Sequence, residues 1–281
     1  MAVDVVEIES GKPWWHFDLG EVWSRRDLLY MLVRKDLSAT YKQSLLGPLW
    51  FVVQPIFTSL VFGLLFGRFA RMAPPGVSPF LYFFSAYVLW NYYQATVSGV
   101  ALSLFANSAI LGKIYFPRLI VPLVAAGVNT VRFAVSYLLF LAIFLVALLV
   151  SGRPVAYSGA DLVLVPPLLL FVGLVATGTG AWMAAASVRY RDMRHGMSML
   201  LNLWMFATPI IWPLSRAPEA WRWLFALNPM TFVVEFHRAA FLGTPAPGPG
   251  LVLPGLCAGA VALAVGFLMF NRAQATLVDT L

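Results

Sequence analysis

Long apolar runs separated by short polar segments dominate the chain. A membrane-spanning helix needs about 20 mostly apolar residues, because the hydrocarbon core is about 30 Å thick and a helix rises 1.5 Å per residue. Runs of this kind predict six transmembrane helices, at about residues 49–67, 80–104, 119–150, 162–187, 197–214 and 251–270. The third run is too long for one perpendicular span, so it predicts a helix that tilts or extends beyond the membrane. The pattern therefore predicts an all-α membrane protein, with a transmembrane domain over residues 48–274.

A different periodicity precedes the first run, in the N-terminal segment 1–47. Within residues 21–42, apolar side chains recur at helical spacing beside basic ones, namely Val22, Leu29, Val33 and Leu37. This pattern is typical of an amphipathic helix at a membrane surface. An ordinary cytoplasmic helix remains the alternative.

The longest connection between runs, residues 215–250, is rich in aromatic residues. Asn228-Pro229 is a turn signal in its middle, and Pro245, Pro247 and Pro249 follow its second half. We therefore expect two short re-entrant helices at the outer face, before the last span.

Charge sets the expected orientation. Cytoplasmic loops of membrane proteins carry an excess of Lys and Arg. With the N-terminus inside, the inner segments hold more basic residues, including Arg34, Lys35, Lys113 and Arg191, than the outer segments do. An N-in, C-in topology is predicted.

The composition agrees with a membrane protein. Hydrophobic residues make up 60% of the chain and charged residues 11%, whereas a soluble domain carries about 25% charged residues. The net charge of +7 does not indicate a nucleic-acid partner, because the basic residues are spread between apolar runs and form no patch. Cys257 is the single cysteine, so a disulfide framework is excluded within the chain.

Signatures of catalysis are missing. Neither Gly11-Lys12 nor Gly112-Lys113 continues as a phosphate-binding loop. His16, His195 and His237 fall in different segments and offer neither a metal site nor a nucleophile–base pair. The apolar runs also lack the carboxylates of a proton-coupled transporter. We expect no enzyme activity, no metal and no cofactor on this chain, so another subunit must supply energy for uphill transport.

Motifs in order along the chain carry a family resemblance. The first is residues 34–50, RKDLSATYKQSLLGPLW, continuing to Gln54-Pro55. It is followed by residues 107–118, NSAILGKIYFPR, by residues 188–192, VRYRD, and by residues 221–230, WRWLFALNPM. Together they resemble ABC-2 type polysaccharide export permeases, of the branch that exports O-antigen, capsule or teichoic acid, over residues 30 to 272.

The resemblance implies an assembly in the bacterial inner (cytoplasmic) membrane. Its partners are a second copy of the chain, two separate ABC ATPase subunits that bind ATP and Mg²⁺, the membrane lipids, and a polyprenyl-linked glycan that passes through a continuous channel. The family couples the ATPase through a cytoplasmic helix between spans two and three. That helix maps onto residues 107–118, with coupling residues Lys113, Ile114, Tyr115, Phe116 and Arg118.

Aromatic residues are candidates for the glycan path. The chain is 15% aromatic with 10 Trp, and aromatic faces bury large contact areas at low entropic cost. The candidates within the spans are Trp50, Phe51, Phe57, Trp90, Tyr93, Trp204 and Phe206. Collection of Trp and Tyr at the membrane interfaces is the alternative explanation. The resemblance favours spans one and five as the lining helices.

Charged residues define two further candidate sites. Arg132 lies inside the third run, where it must face a partner, water or the channel. It either pairs with a polar neighbour such as Asn129 or contacts an anionic lipid-linked substrate. The candidate outer gate consists of Trp221, Trp223, Glu235, His237 and Arg238, and its charged members either gate the exit or pair with each other.

Two other functions remain open. A membrane-embedded glycosyltransferase or polymerase acting on polyprenyl-linked sugars would need acidic metal ligands, but the loop carboxylates form no Asp-x-Asp pair. An ABC-2 permease for a small lipophilic molecule would lack the motifs at residues 41–50 and 113–118. The leading prediction is the membrane subunit of an ATP-driven exporter of an O-antigen-like polysaccharide.

Overall fold

The computed structural model describes residues 19–42, 47–107, 117–151, 159–190 and 192–277. Regular structure in these ranges is entirely helical, as the apolar runs predicted. The helices are α1 (Leu19–Ser24), α2 (Arg26–Lys42), α3 (Trp50–Phe62), α4 (Pro79–Ala106), α5 (Ile120–Ser151), α6 (Gly159–Val163), α7 (Val165–Arg189), α8 (Met193–Phe206), α9 (Arg222–Ala226), α10 (Pro229–Leu242) and α11 (Pro249–Leu277). A π-helical segment, Gly63–Phe69, continues α3.

Four of the described segments are long and apolar enough to cross a membrane: Trp50–Phe69, Ile120–Val150, Asp161–Arg189 and Pro249–Ala273. They match the first, third, fourth and sixth predicted runs. Helix α4 coincides with the second run and has 28 residues, but its Tyr, Trp, Asn and Gln side chains make it less apolar. Helix α8 has only 14 residues. The six-span count and the N-in, C-in topology therefore stay predictions.

The fifth run differs most from its predicted bounds of 197–214. Helix α8 starts earlier, at Met193, and ends at Phe206. Proline disfavours helical backbone in the residue before it, and Pro209 follows closely. The chain leaves the helix in tight turns, in which Ile210 N donates to Thr208 O at 2.7 Å.

Helix α4 forms the centre of the bundle. It packs most extensively against α5 and α7, and α7 in turn packs against α11. Its side chains are buried around most of its circumference, including Phe83, Phe84, Leu89 and Val97, while one stripe that includes Asn91 and Gln94 is only half-buried. The α7–α11 contact depends on glycine, because a Cβ at Gly266 would overlap the carbonyl oxygen of Gly178.

The N-terminal amphipathic segment is helical, as predicted, over α1 and α2. Its apolar stripe, which includes Val22, Leu29, Val33 and Leu37, packs against Ile120, Val121, Val124 and Val128 at the start of α5. This stripe therefore faces protein and not lipid. Trp23, Tyr30 and Met31 are exposed on α1 and α2. Contact between this segment and a membrane surface stays a prediction.

Residues 215–250 contain two short helices, α9 and α10, and their re-entrant position at the outer face stays a prediction. Asn228 caps α10, since its side-chain oxygen accepts a hydrogen bond from Met230 N at 3.0 Å. Pro229 occupies the first helical position, where its missing N–H has no cost. Gly243 ends the helix with a φ of 65°, a left-handed conformation that glycine adopts readily.

Candidate functional site

A polar cavity of about 480 Å³ lies between α3, α4, α5 and α8. Its polar lining is Gln54, Thr58, Asn91, Gln94, Ser98, Asn129, Arg132, Ser136 and Asn202. Its aromatic lining is Phe51, Phe62, Tyr87, Tyr92 and Phe133. Among the described lining residues, Arg132 alone carries a full charge. The cavity thus combines amides, hydroxyls, aromatic rings and one cation inside an otherwise apolar bundle.

Side-chain hydrogen bonds cross one wall of the cavity. Trp90 donates from Nε1 to Gln94 Oε1 at 3.0 Å. Gln94 in turn donates from Nε2 to Asn202 Oδ1, also at 3.0 Å. This chain joins α4 to α8. Neither Gln94 nor Asn202 is among the predicted site residues, although an amide within an apolar run is a signal that could have identified both.

Arg132 is half-buried on α5, at the opposite wall. Its Nη1 donates to Asn129 Oδ1 at 3.5 Å, a contact with the polar neighbour that the sequence offered as one of two alternatives. Asn129 is held in place because its amide nitrogen donates to Ala125 O at 2.9 Å and to Ala95 O at 3.2 Å. The guanidinium carbon lies 5.0 Å from the centre of the Phe51 ring, a distance at which a cation is attracted to an aromatic face.

The backbone of α3 is fixed beside this arginine. Ser136, one turn after Arg132, donates from Oγ to Phe51 O at 2.8 Å. Because Phe51 belongs to the first turn of α3, this bond attaches the start of α3 to α5. The position of Phe51 under the guanidinium follows from that attachment.

The predicted channel residues divide into four groups. Phe51 lines the cavity, and Trp50, Phe57 and Phe206 are exposed on α3 and α8. Trp204 is half-buried, with its ring 5.9 Å from that of Tyr93. Trp90 and Tyr93 are fully buried, with 0% exposure. Their rings pack against each other in the core, with 5.4 Å between the ring centres, and they do not line a surface of this chain.

Arg238, of the predicted outer gate, is completely buried on α10. It donates to Pro209 O and to Ile210 O, each at 2.7 Å. Its guanidinium carbon also lies 3.7 Å from the centre of the Tyr82 ring. These bonds hold the turn after α8 against α10. Backbone carbonyls carry no sequence signal, which is why the sequence did not predict these partners.

Glu235 and His237 differ in their surroundings. Glu235 accepts a hydrogen bond from Arg238 at 3.3 Å, so two of the gate residues pair with each other. Burial raises the pKa of Glu235, and the nearby Arg238 opposes this shift. His237 contacts the hydroxyl of Tyr137 at 3.1 Å. Burial and, secondarily, Arg238 lower the pKa of His237 to about 3, so its ring is neutral. Both groups lie on α10, outside the four long apolar segments.

The remaining predicted site residues lie at two places. Trp221 immediately precedes the short helix α9 and Trp223 lies within it, and both are exposed. Of the predicted coupling residues, Arg118 is half-buried immediately before α5. Lys113, Ile114, Tyr115 and Phe116 lie outside the described residues.

Known proteins resemble this chain over most of its length. The model of the family described as ABC-2 type transporter matches residues 27–242. An O-antigen export system permease protein RfbA from Myxococcus xanthus is 32% identical over 224 residues, which is 79% of this chain and 82% of the relative. Proteins of the same name from Klebsiella pneumoniae include one that is 26% identical over 77% of this chain and 80% of the relative. The chain belongs to the ABC-2 type transporter family.

Proposed function

We propose that the chain is the membrane-spanning subunit of an ATP-driven exporter, and that it moves a polyprenyl-linked, O-antigen-like polysaccharide across the bacterial inner membrane. The observation that carries this proposal is the polar and aromatic cavity inside the bundle. A permease for an apolar molecule has no need of so many amides at membrane depth, where polar groups are costly.

The lining chemistry suits a glycan. Sugar hydroxyls both donate and accept hydrogen bonds, and the amides of Gln54, Asn91 and Asn202 can do the same. Rings such as Phe51 and Tyr87 offer apolar faces for the C–H surface of a sugar. Contacts of this kind tolerate successive sugar units, as a polymer channel requires.

A second copy of the chain completes the channel in this proposal. Apolar side chains are exposed on α3 and α8, on either side of the cavity, and include Phe57, Leu60, Leu203 and Phe206. Packing two such copies about the cavity faces would enclose a continuous path. Six spans with both termini inside, including α4 and the segment that contains α8, belong to the same proposal.

Energy comes from a partner in this proposal. The names of the relatives from Myxococcus xanthus and Klebsiella pneumoniae support O-antigen export, and the family supports association with an ABC ATPase, which binds ATP and Mg²⁺. We assign the coupling contact to residues 107–118. Residues 215–250 then form the outer gate, in which Arg238 holds the turn after α8 in place.

The test is ATP turnover by the chain in lipid bilayers, alone and together with the ATPase encoded beside it, with and without undecaprenyl-linked glycan. We expect turnover only in the complex, and a change in its rate when the glycan is added. Tyr115→Ala and Phe116→Ala should abolish the glycan response. Phe69→Ala, at an exposed aromatic residue on the π-helical segment, is the control. Modification of the lipid-linked sugar by the chain alone would instead establish a membrane enzyme.

A further inference from the structure

The cavity beside Arg132 has the features of an anion site. Arg132 lies about 18 Å along α5 from Ile120, because the helix rises 1.5 Å per residue. The segment of α5 before it, Ile120–Val128, is covered by α2. Arg132 therefore lies where α5 leaves the cover of α2 and meets the start of α3, through the bond from Ser136 to Phe51.

Neighbouring side chains fix the orientation of the guanidinium. Asn129 is fixed by two backbone carbonyls, and its side-chain oxygen faces the guanidinium. The Phe51 ring lies under the cation at 5.0 Å. A guanidinium held by flanking groups presents its planar N–H fork in one orientation, and that fork matches the oxygens of a phosphate.

The rest of the cavity favours an anion with polar and apolar attachments. None of the described lining residues is a carboxylate, so an incoming anion meets no like charge there. The amides of Asn91 and Asn202 supply further N–H donors. The volume of about 480 Å³ lies within the range of small-molecule sites and accommodates a diphosphate with an adjoining sugar.

An arginine at this depth is costly to insert into a membrane, and such residues mark substrate pathways. We propose that this cavity binds the pyrophosphate group that joins the polyprenyl chain to the glycan, with Arg132 as the anion-binding residue. This inference rests on the proposed function, since it assigns a place to the charged group of the exported molecule. Binding there would position the first sugar against the amides and the prenyl chain against the bundle surface.

The test uses the complex of the chain with its ATPase in nanodiscs of neutral phosphatidylcholine. The probe is radiolabelled farnesyl pyrophosphate, and farnesol is the comparison that lacks the anion. We expect saturable binding of farnesyl pyrophosphate only, about tenfold weaker in Arg132→Gln because a charge-assisted contact is lost, and intermediate in Arg132→Lys. Arg194→Gln is the matched control, because Arg194 also lies over a ring, that of Phe105 at 4.2 Å, but outside the cavity lining.

A second measurement needs no variant. Phenylglyoxal modifies arginine side chains, and mass spectrometry compares Arg132 with Arg194 in the wild-type complex. Protection of Arg132 by farnesyl pyrophosphate, with no protection by farnesol, is the expected result. Equal modification with and without the probe, or unchanged binding by Arg132→Gln, overturns the proposal. Displacement of the radiolabelled probe by phosphatidylglycerol as effectively as by unlabelled farnesyl pyrophosphate also overturns the proposal, because the site would then bind bulk anionic lipid.

The same preparations separate this inference from the proposed function. Glycan-dependent ATP turnover by the wild type, together with no effect at Arg132, removes the pyrophosphate site and leaves the exporter. Probe binding at Arg132 without any glycan-dependent ATP turnover is the reverse outcome. It retains the anion site and removes the exporter function.

Discussion

Gln94 on α4 donates a hydrogen bond to Asn202 on α8, with 3.0 Å between its Nε2 and the Oδ1 of Asn202. The two residues are 108 positions apart in the chain, and both line the polar cavity. Helix α8 is short and has few buried residues, Met197 and Leu201. This amide pair is therefore a principal polar link between α8 and the centre of the bundle.

A double-mutant cycle on this pair should give a measurable coupling energy. Gln94→Leu, Asn202→Leu and the double variant are compared by their free energies of unfolding in detergent. We expect a coupling of about 0.6 kcal/mol, the average for hydrogen bonds between side chains in membrane bundles. Zero coupling would show that the two amides bond to water or detergent and not to each other.

The buried arginine of α10 predicts a larger effect. In Arg238→Lys the planar fork is lost, and the single nitrogen on a different stem does not reproduce the two 2.7 Å bonds to the carbonyls of Pro209 and Ile210. Leaving a buried acceptor unsatisfied costs about 1–3 kcal/mol, so a drop of that order in the free energy of unfolding is expected. Chemical denaturation of the purified chain measures it.

Arg222→Lys is the control for this substitution. Arg222 also donates to backbone carbonyls, those of Ala217 at 3.3 Å and Ser215 at 3.5 Å, but its side chain is 46% exposed. Exposed positions change stability by about 0.5 kcal/mol or less. Equal losses for the two substitutions would contradict a structural role for the burial of Arg238.

Contacts between near neighbours were predictable from the sequence, and contacts between distant helices were not. Asn129 and Arg132 lie one helical turn apart, so their contact follows from helix geometry alone. The cap of Asn228 and the first position of Pro229 follow from local preferences in the same way. Such features depend only on the residues beside them.

Apolar periodicity does not determine which helices pack together. Apolar residues occur on most sides of α4, so the pattern did not show that Trp90 and Tyr93 face inward while residues such as Gln94 reach the cavity. Two of the partners of Arg238 are backbone carbonyls 28 and 29 residues away. Every residue has a backbone carbonyl, so only the folded structure identifies which carbonyls accept from Arg238.

His237 predicts a pH dependence of stability. Its pKa is lowered to about 3 in the folded chain, chiefly by burial, and an unfolded histidine has a pKa of about 6.5. Between these values the unfolded state binds more protons, so this group makes stability rise with pH and lowers stability as the pH falls below 6.5. Denaturation midpoints measured from pH 7 to pH 5 should show the trend.

The variant His237→Gln isolates this contribution, because glutamine can still bond to the Tyr137 hydroxyl but does not titrate. Glu235, whose pKa burial raises, contributes with the opposite sign, so the difference between wild type and variant is the quantity to compare. His195→Gln, at an exposed site on α8, should keep the wild-type trend. Parallel curves for wild type and His237→Gln would contradict a neutral buried ring.

The glycine contact between α7 and α11 gives the last prediction. Gly266→Ala adds a methyl group that overlaps backbone atoms of Gly178, and backbone cannot move aside as a flexible side chain can. We expect Gly266→Ala to separate the helices and to lower the thermal unfolding midpoint by several degrees. In an isolated helix the same substitution is stabilising by up to about 1 kcal/mol, so a loss identifies the close approach as its cause.

Gly196→Ala on α8 is the matched control, because a Cβ there meets nothing within 4 Å. It should keep or raise the unfolding midpoint, since alanine favours helix and no neighbour opposes it. Measuring both variants in the same detergent removes the effect of helix propensity from the comparison. If Gly266→Ala were as stable as Gly196→Ala, α7 and α11 would have to lie further apart than the contact of Gly266 with Gly178 requires.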